Sequence, residues 1–498
     1  MLNFYLAIDQ GRRVRAYYPF FRNMLIALLV LCMLFICWMT LFDPIIGYAN
    51  NSDFIRQSSC MGLWHNHADI IKTSGYPFYP SPNLIYDADV QPAHCVFSAD
   101  NFFAHIVAFL HKPGAVVAYW QYAGVKLLCF SVLFLLAFYL ARDTRLSAYM
   151  VFLLVFLDWS VLAYVNTMYA EFSVICAMLL VFILATQWLT SAEKSDYKLL
   201  MLLVFSLCWL GLSKLQWSFF ASLLCIIFAV ISLVRFQAWR EVLVFLSLGV
   251  ALPVAYSMIN AEHLGPETGA FKANKTNTFL MAVLPAAKDQ HAALVSLGLP
   301  EHCAIAIGYS WYSPELANGH PCPEIFNVKR SQLLSLFVSQ PSTFFTPLWR
   351  GLSEIRPLYP DYLGVIEPDN RAAAVKLKVA QRIAASTWLM RLPEVVFKWL
   401  VISLMLINPV LWIIFLRSIR PHSRLASELR GVLFLASLGG FTCGYSVFSS
   451  VFGDGYIEMQ KHAVLFLPGL LATLAAVLSC FLWLLGCMTR ESKLQQGN

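Results

Sequence analysis

Asp53, in the stretch Asn50-Asn51-Ser52-Asp53-Phe54, follows closely on the first long apolar run, Met24 to Leu41. If that run crosses a membrane, the carboxylate emerges just beyond the hydrocarbon. There it is wet enough to ionise and close enough to reach a lipid headgroup. A carboxylate so placed is a candidate general base for a hydroxyl. Taken alone it is equally a loop acid or a helix N-cap, with Arg56 three residues on as a pairing partner.

Three further groups carry comparable chemistry. Asp158, Asn166, Tyr169 and Glu171 lie in and just after an apolar stretch. An ionisable residue at membrane depth is a functional candidate because its burial is costly. The plain alternatives are a bundle-facing acid for Asp158 and an exposed turn acid for Glu171. Lys214 and Gln216 interrupt what is otherwise one apolar run, so Lys214 is expected to have a specific partner: an anionic ligand group, Glu171 or Asp53. Lys126 is a similar oddity, for which a snorkelling or salt-bridged lysine is the plain reading. The segment Gly453 to His462 packs Asp454, Glu458, Lys461 and His462 between two apolar runs. Its glycines permit an unusual turn. A polar hairpin would also read this way, but a minimal hairpin needs no such mixture of charges. His65 and His67 with Asp69 have an unspecific spacing and read as loop residues rather than metal ligands.

The elements that must position these groups are membrane spans. The chain has 498 residues, 59% hydrophobic and 13% charged, against roughly 25% charged in a soluble protein. Runs of 18 or more apolar residues recur, each long enough for about 30 Å of hydrocarbon. The expected fold class is an all-α integral membrane protein of about ten transmembrane helices. The expected spans are 24–42, 115–140, 147–165, 172–190, 199–213, 217–234, 242–259, 396–416, 431–450 and 463–486. They divide the chain into an N-terminal transmembrane module, 1–259, an extracytoplasmic region, 260–395, and a C-terminal transmembrane module, 396–498.

Loop charges orient the bundle. Arg12, Arg13, Arg15, Arg22, Arg142, Arg145, Lys194, Lys198, Arg235, Arg240, Arg417, Arg420, Arg424, Arg430, Arg490 and Lys493 fall on one side. The positive-inside rule makes that side cytoplasmic, with both termini there. It also accounts for the net charge of +7 without nucleic acid as a partner. The first span reads as a retained signal anchor rather than a cleaved leader. The outer side receives two large segments, 43–114 and 260–395. In the first, Asn101 to Lys112 places Phe102, Ile106, Phe109 and Leu110 on one face of an interfacial helix. In the second, helices are expected at 328–339 and 342–354, split by Pro341, followed by one basic amphipathic helix from Arg371 to Leu392. Lys376, Lys378, Arg382 and Arg391 on it suit anionic lipid headgroups or solvent. Of thirteen cysteines, Cys60, Cys95, Cys303 and Cys322 lie outside the spans, one pair in each large segment. An oxidising compartment would allow Cys60–Cys95 and Cys303–Cys322 bridges.

By topology the acids and cations gather at one depth on one side. Acids there suit activation of a hydroxyl acceptor, and cations suit a phosphate leaving group. The arrangement resembles the GT-C superfamily of membrane glycosyltransferases, and more narrowly a group of bacterial glycan-biosynthesis hexose transferases. The residues that carry the resemblance are Asn51-Ser52-Asp53-Phe54, Tyr164 to Glu171, Lys214-Leu215-Gln216, Asn274 to Tyr312, Pro360-Asp361-Tyr362-Leu363-Gly364 and Asp454 to His462. The chain departs from that group at Ser52 and Phe172, where glycine and proline are expected. The resemblance implies a GT-C-like fold in a bacterial inner membrane, with an outward-facing site. It also implies hexose transfer from a polyprenyl-phosphate donor to a surface glycan or lipid-linked acceptor. Asp53 would be the base. Glu171, Asp454 and Glu458 would orient sugar hydroxyls or a divalent ion, Mg or Mn. Lys214, Lys461 and His462 would hold the donor phosphate. Two alternatives stand beside it. A lipid-linked glycan polymerase or ligase would use outer-loop arginines such as Arg350 and Arg356. A flippase or transporter would favour internal repeats and broken helices near the midplane.

Overall fold

The computed structural model describes residues 18–44, 46–47, 60–65, 83–87, 95–191, 196–316, 319–360, 363, 371–419 and 427–495. Asp53, His67 and Asp69, together with most of the Pro360 to Gly364 motif, lie outside them.

The chain is helical almost throughout. The first apolar run forms α1, Tyr18–Thr40. There follow α2 (Asn101–Phe109), α3 (Tyr119–Leu140), α4 (Arg145–Phe156), α5 (Glu171–Thr190), α6 (Tyr197–Ser213), α7 (Leu215–Ile231) and α8 (Trp239–Ile259). The segment after α8 holds short helices: α9 (Gly269–Thr276), α10 (Gln290–Ser296), α11 (Arg330–Ser339), α12 (Ser342–Glu354), α13 (Arg371–Ile383) and α14 (Ala385–Met390). The last three helices are α15 (Glu394–Ser418), α16 (Ser427–Asp454) and α17 (Phe466–Gln495). Six described helices are long and apolar enough to cross a membrane, and four shorter apolar helices lie at 26–40, 145–156, 197–213 and 466–482. Their positions match the ten expected spans, and the protein is an all-α, multi-pass membrane protein.

Helix α5 is the axis. Every residue in it is buried, as expected of a helix apolar all round. It packs against α3, α4, α6 and α16, while α16 also packs against α15 and α17. The helices of 1–259 and 396–498 therefore share one core around α5.

Three features differ from the sequence expectation. The third span is not continuous over 147–165: α4 stops at Phe156, and Asp158 adopts an extended conformation that caps a separate turn, Trp159–Leu162. The basic helix expected from Arg371 to Leu392 is two helices, because Ala384 is extended (ψ 132°) between α13 and α14. Its Lys376 is buried rather than headgroup-facing: Nζ donates to the carbonyls of Phe42 and Pro44 at 2.6 and 2.8 Å. Lastly, a small antiparallel sheet joins β1 (Leu63–His65), β2 (Asn83–Tyr86) and β3 (Val116–Ala118), with Leu63 opposite Tyr86 and Leu84 opposite Val117. Strands this short carry too little alternation to be read from sequence.

The expected disulfides, Cys60–Cys95 and Cys303–Cys322, are both formed. Helix α2 and its C-cap expose Phe102, Phe109 and Leu110 as anticipated, with Phe109 88% exposed, while Ile106 on the same face is half-buried.

Candidate active site

Local breaks in the helices bring the charges together. Lys214 sits between α6 and α7 with extended backbone (φ −162°, ψ 147°), so its side chain leaves the helix axis. Glu171 begins α5, where a carboxylate suits the positive end of the helix dipole. Asp454 ends α16, and the next residue, Gly455, has φ +63°. A Cβ on Gly455 would stand 2.5 Å from the carbonyl oxygen of Asn277, so only glycine lets this turn lie against the 269–283 segment. Gly453 by contrast has open space around it. Glu458, also left-handed at φ 44°, precedes the single turn Met459–His462.

These four places form one connected chain. Lys214 Nζ is 3.3 Å from Glu171 Oε1 and 3.2 Å from His462 Nδ1. His462 Nε2 is 3.2 Å from Asp454 Oδ2. An ammonium can only donate, so Nδ1 accepts from Lys214 and Nε2 carries the ring proton towards Asp454. Asp454 Oδ1 accepts from Asn277 Nδ2 at 2.8 Å, and from the Asn274 amide turned towards it at 3.1 Å. Gln216 Nε2 ties the turn down through the His462 carbonyl at 2.9 Å and Ser449 Oγ at 2.6 Å. Lys461 pairs with Glu458 Oε2 at 3.2 Å and lies 4.4 Å from the centre of the Tyr169 ring. Of the expected site residues, Tyr169, Glu171, Lys214, Gln216, Asp454, Glu458, Lys461 and His462 thus meet in ion pairs, hydrogen bonds or ring contacts.

Asn166 and Asp158 are engaged elsewhere. Asn166 is fully buried, and its Nδ2 donates to the Ile46 carbonyl at 2.8 Å. Its Oδ1 and the hydroxyl of Tyr164 are buried without a hydrogen-bond partner among the described residues. Tyr164 lies within electrostatic range of Glu171, Glu458 and Lys461. Among the described residues Asp158 makes no hydrogen bond or ion pair to the charged chain. Its carboxylate accepts from Ser160 N and Oγ at 3.0 and 2.7 Å, and from Ser386 N and Oγ at 2.6 and 2.8 Å. It therefore satisfies backbone donors at the starts of two helices and pins α14 to the Trp159–Leu162 turn.

Asp53 lies outside the described residues, but the chain leading to it is fixed at its root. Ile46 bonds Asn166, and a Cβ on Gly47 (φ +93°) would stand 2.4 Å from the Ala163 carbonyl oxygen. Asp53 is six residues further on, a reach of at most about 20 Å.

Several partners were not singled out from the sequence. Asp100 is fully buried with Lys126, Nζ to Oδ2 2.9 Å. Tyr122 and Ser173 also donate to it. Lys126 further donates to the Thr167 carbonyl at 3.0 Å, bracing the loop that ends at Glu171. Lys126 was the signal in the sequence, but nothing in the spacing identified Asp100 as its partner. Asn274 and Asn277, from the Asn274 to Tyr312 segment named above but without a role assigned there, and Arg330 converge on the Asp454 end. Arg330 Nη1 donates to the Phe452 carbonyl at 3.3 Å. Burial pulls its guanidinium below the usual value, and the Asp454 charge opposes that.

The one group of three metal-type ligands among the described residues is His302, Cys303 and Glu324. Cys303 is already bonded to Cys322, so this group does not fit a resident metal. Glu171 and Glu458 each pair with a lysine, Asp454 accepts from the His462 ring, and the three form no such group among the described residues.

The fold and this cluster define a multi-pass helical membrane protein with ionised groups gathered at helix ends on one side of its bundle. The chain belongs to the family described as the YfdI N-terminal transmembrane domain, whose model matches residues 15–497. Neither the curated proteins nor the solved structures give a match.

Proposed function

We propose that this protein is a membrane glycosyltransferase of GT-C type, moving a hexose from a polyprenyl-phosphate donor to a surface glycan or lipid-linked acceptor. The observation that carries the reading is the chain Glu171–Lys214–His462–Asp454, in which charged groups from three parts of the sequence meet at helix ends. Membership of a transmembrane-domain family over nearly the whole chain is compatible with it.

In this reading the acceptor hydroxyl gives its proton to Asp53. Its oxygen bonds to the anomeric carbon, the bond from that carbon to the phosphate oxygen breaks, and the electron pair leaves with polyprenyl phosphate. Lys214 and Lys461 stabilise the charge that develops on the phosphate. To do so Lys214 exchanges the Glu171 carboxylate for a phosphate oxygen. His462 orients Lys214 through Nδ1, and its Nε2–H exchanges the Asp454 carboxylate for an oxygen of the same phosphate. Glu171, Asp454 and Glu458 become acceptors for sugar hydroxyls. A divalent ion, Mg or Mn, is proposed only as a companion of the donor phosphate.

The site is proposed to face the outer side of a bacterial inner membrane, with both termini cytoplasmic. The basic inner loops support this side, as do the two disulfides in the large segments, since such bonds persist in oxidising compartments. The polymerase or ligase alternative draws less support, because its arginines bond outside the chain Glu171–Lys214–His462–Asp454, whose only cation-forming groups are lysine and histidine. Arg350 pairs with Glu354 at 3.1 Å, and Arg356 donates to the Met390 and Leu392 carbonyls, each at 2.9 Å.

The test gives purified full-length protein labelled polyprenyl-phosphate hexose and a crude lipid-linked glycan. Transfer by the wild type, reduced about 100-fold or more by Asp53→Asn, is expected for loss of a general base. Transfer unaffected by Asp53→Asn removes Asp53 as the base. No transfer, with lipid moving across vesicles instead, replaces the enzyme by a flippase.

A further inference from the structure

We propose that the open groove between α10, α11 and the start of α12 binds a neutral polyhydroxylated chain. Naming that chain as the acceptor glycan rests on the transfer reading above. The groove has a volume of about 670 Å³, within the usual range for ligand sites, roughly 300–1,000 Å³. Its walls carry hydroxyls: Ser296 from α10, Ser335 and Ser339 from α11, and Ser342 from α12. Lys288 and Asp289 add one charge of each sign, so neither an anion nor a cation is favoured over a neutral ligand.

Two observations give the groove a built character. The Gln340 side chain bridges to the backbone of Asp289, accepting from its N–H at 3.1 Å and donating to its carbonyl at 2.9 Å. This clamps the end of α11 to the start of α10, so the walls are preformed. The Ser342 hydroxyl is buried without a partner among the described residues. Such a group is unfavourable until something bonds to it, and a turn of the side chain about χ1 would bring it to a ligand hydroxyl in the groove that Ser342 lines.

The surroundings suit a sugar in particular. A pyranose presents C–H faces as well as hydroxyls, and so matches a groove lined by serine hydroxyls together with Ala292 and Pro341.

Helix α11 ties the groove to the charged cluster. It starts at Arg330, bonded to the Phe452 carbonyl beside Asp454, and ends at Ser339 in the groove wall. A ten-residue helix is about 15 Å long. A glycan lying along α11 would therefore hold several sugar units in the groove while its end reaches Asp454 and Glu458.

The test uses the full-length protein in nanodiscs with Ser339→Cys, labelled by a membrane-impermeant maleimide against the unsubstituted protein as background. Competitors are neutral gluco-, galacto- and manno-oligosaccharides, and inorganic phosphate at the same concentration. Thr346→Cys, an exposed position outside the groove walls, is the control. Saturable slowing by at least one oligosaccharide, about tenfold when the groove is filled, is expected at Ser339→Cys alone. No slowing by any of the sugars overturns the proposal, as does equal slowing by phosphate or at Thr346→Cys. The readout needs no transfer. Protection without hexose transfer leaves the groove standing and removes the enzyme reading; transfer without protection does the reverse.

Discussion

Lys214 shows what one side chain can impose on a membrane bundle. Two helices stop at it, and its ammonium then draws a carboxylate and an imidazole from distant parts of the chain. Lys376 is a buried lysine with a different use, its ammonium capping the carbonyls of Phe42 and Pro44 where α1 ends. Burial pulls its pKa from 10.5 down to about 8, with the Asp43 charge acting the other way. Between those two values the unfolded chain holds a proton that the folded chain has released. Stability from this group therefore rises with pH from about 8 to about 10.5, and the burial penalty is present in full below pH 8. Thermal unfolding across pH 7.5–10.5 is expected to show a smaller rise, or a larger fall, for Lys376→Gln than for the wild type. Parallel pH profiles would remove the assignment. At this scale the sequence was legible for residue type but not for role. Lys214 was visible as a lysine needing a partner, whereas Lys376 read as one of a row of surface charges. Its burial depends on Phe42 and Pro44, more than three hundred residues earlier.

Among the elements, the turns matter more than the spans. The spans were legible because each is an apolar run bounded by polar residues, and their ends, that of the third span apart, fall within a few residues of expectation. The breaks were not, because an extended residue inside an apolar stretch is fixed by its tertiary partners. Asp158 is the clearest case: its carboxylate accepts four hydrogen bonds, two of them from Ser386, and so sets both the end of the third span and the split between α13 and α14. Asp158→Ala leaves buried donors without partners, at roughly 1–3 kcal/mol for each. A clear drop in melting temperature is expected, with much of it restored in Asp158→Asn. An unchanged melting temperature for Asp158→Ala would show that the carboxylate does not fix this junction. The Asp454 to His462 turn offers a matched pair. Gly455→Ala meets both an unfavourable φ and the Asn277 carbonyl, whereas Gly453→Ala meets open space. Donor binding is expected to weaken at least about tenfold in the first, a cost of 1.4 kcal/mol or more, and to stay unchanged in the second. Equal behaviour of the two would separate the turn's shape from its function.

For the whole molecule, the bundle around α5 turns separate sequence segments into one surface. Glu171, Lys214 and the Asp454–His462 turn are far apart in sequence, yet they join where α5, α6, α7 and α16 end. Topology alone put these groups on one side, because charges alternate with spans in a way the positive-inside rule reads. The hidden support, Asp100 beneath Lys126 and the asparagines beneath Asp454, needed the three-dimensional arrangement, since neither pairing has a sequence spacing to mark it. The proposed function requires that this junction hold the phosphate of a lipid-linked sugar. Binding of a labelled polyprenyl-phosphate hexose to the full-length protein in nanodiscs tests it, comparing the wild type with Lys214→Met and with Lys378→Met, an exposed lysine on α13. Lys214→Met is expected to weaken donor binding about 10- to 100-fold, in line with loss of a charge-assisted contact of roughly 1.5–3 kcal/mol, while Lys378→Met binds as the wild type does. Equal affinity in the wild type and Lys214→Met would contradict it.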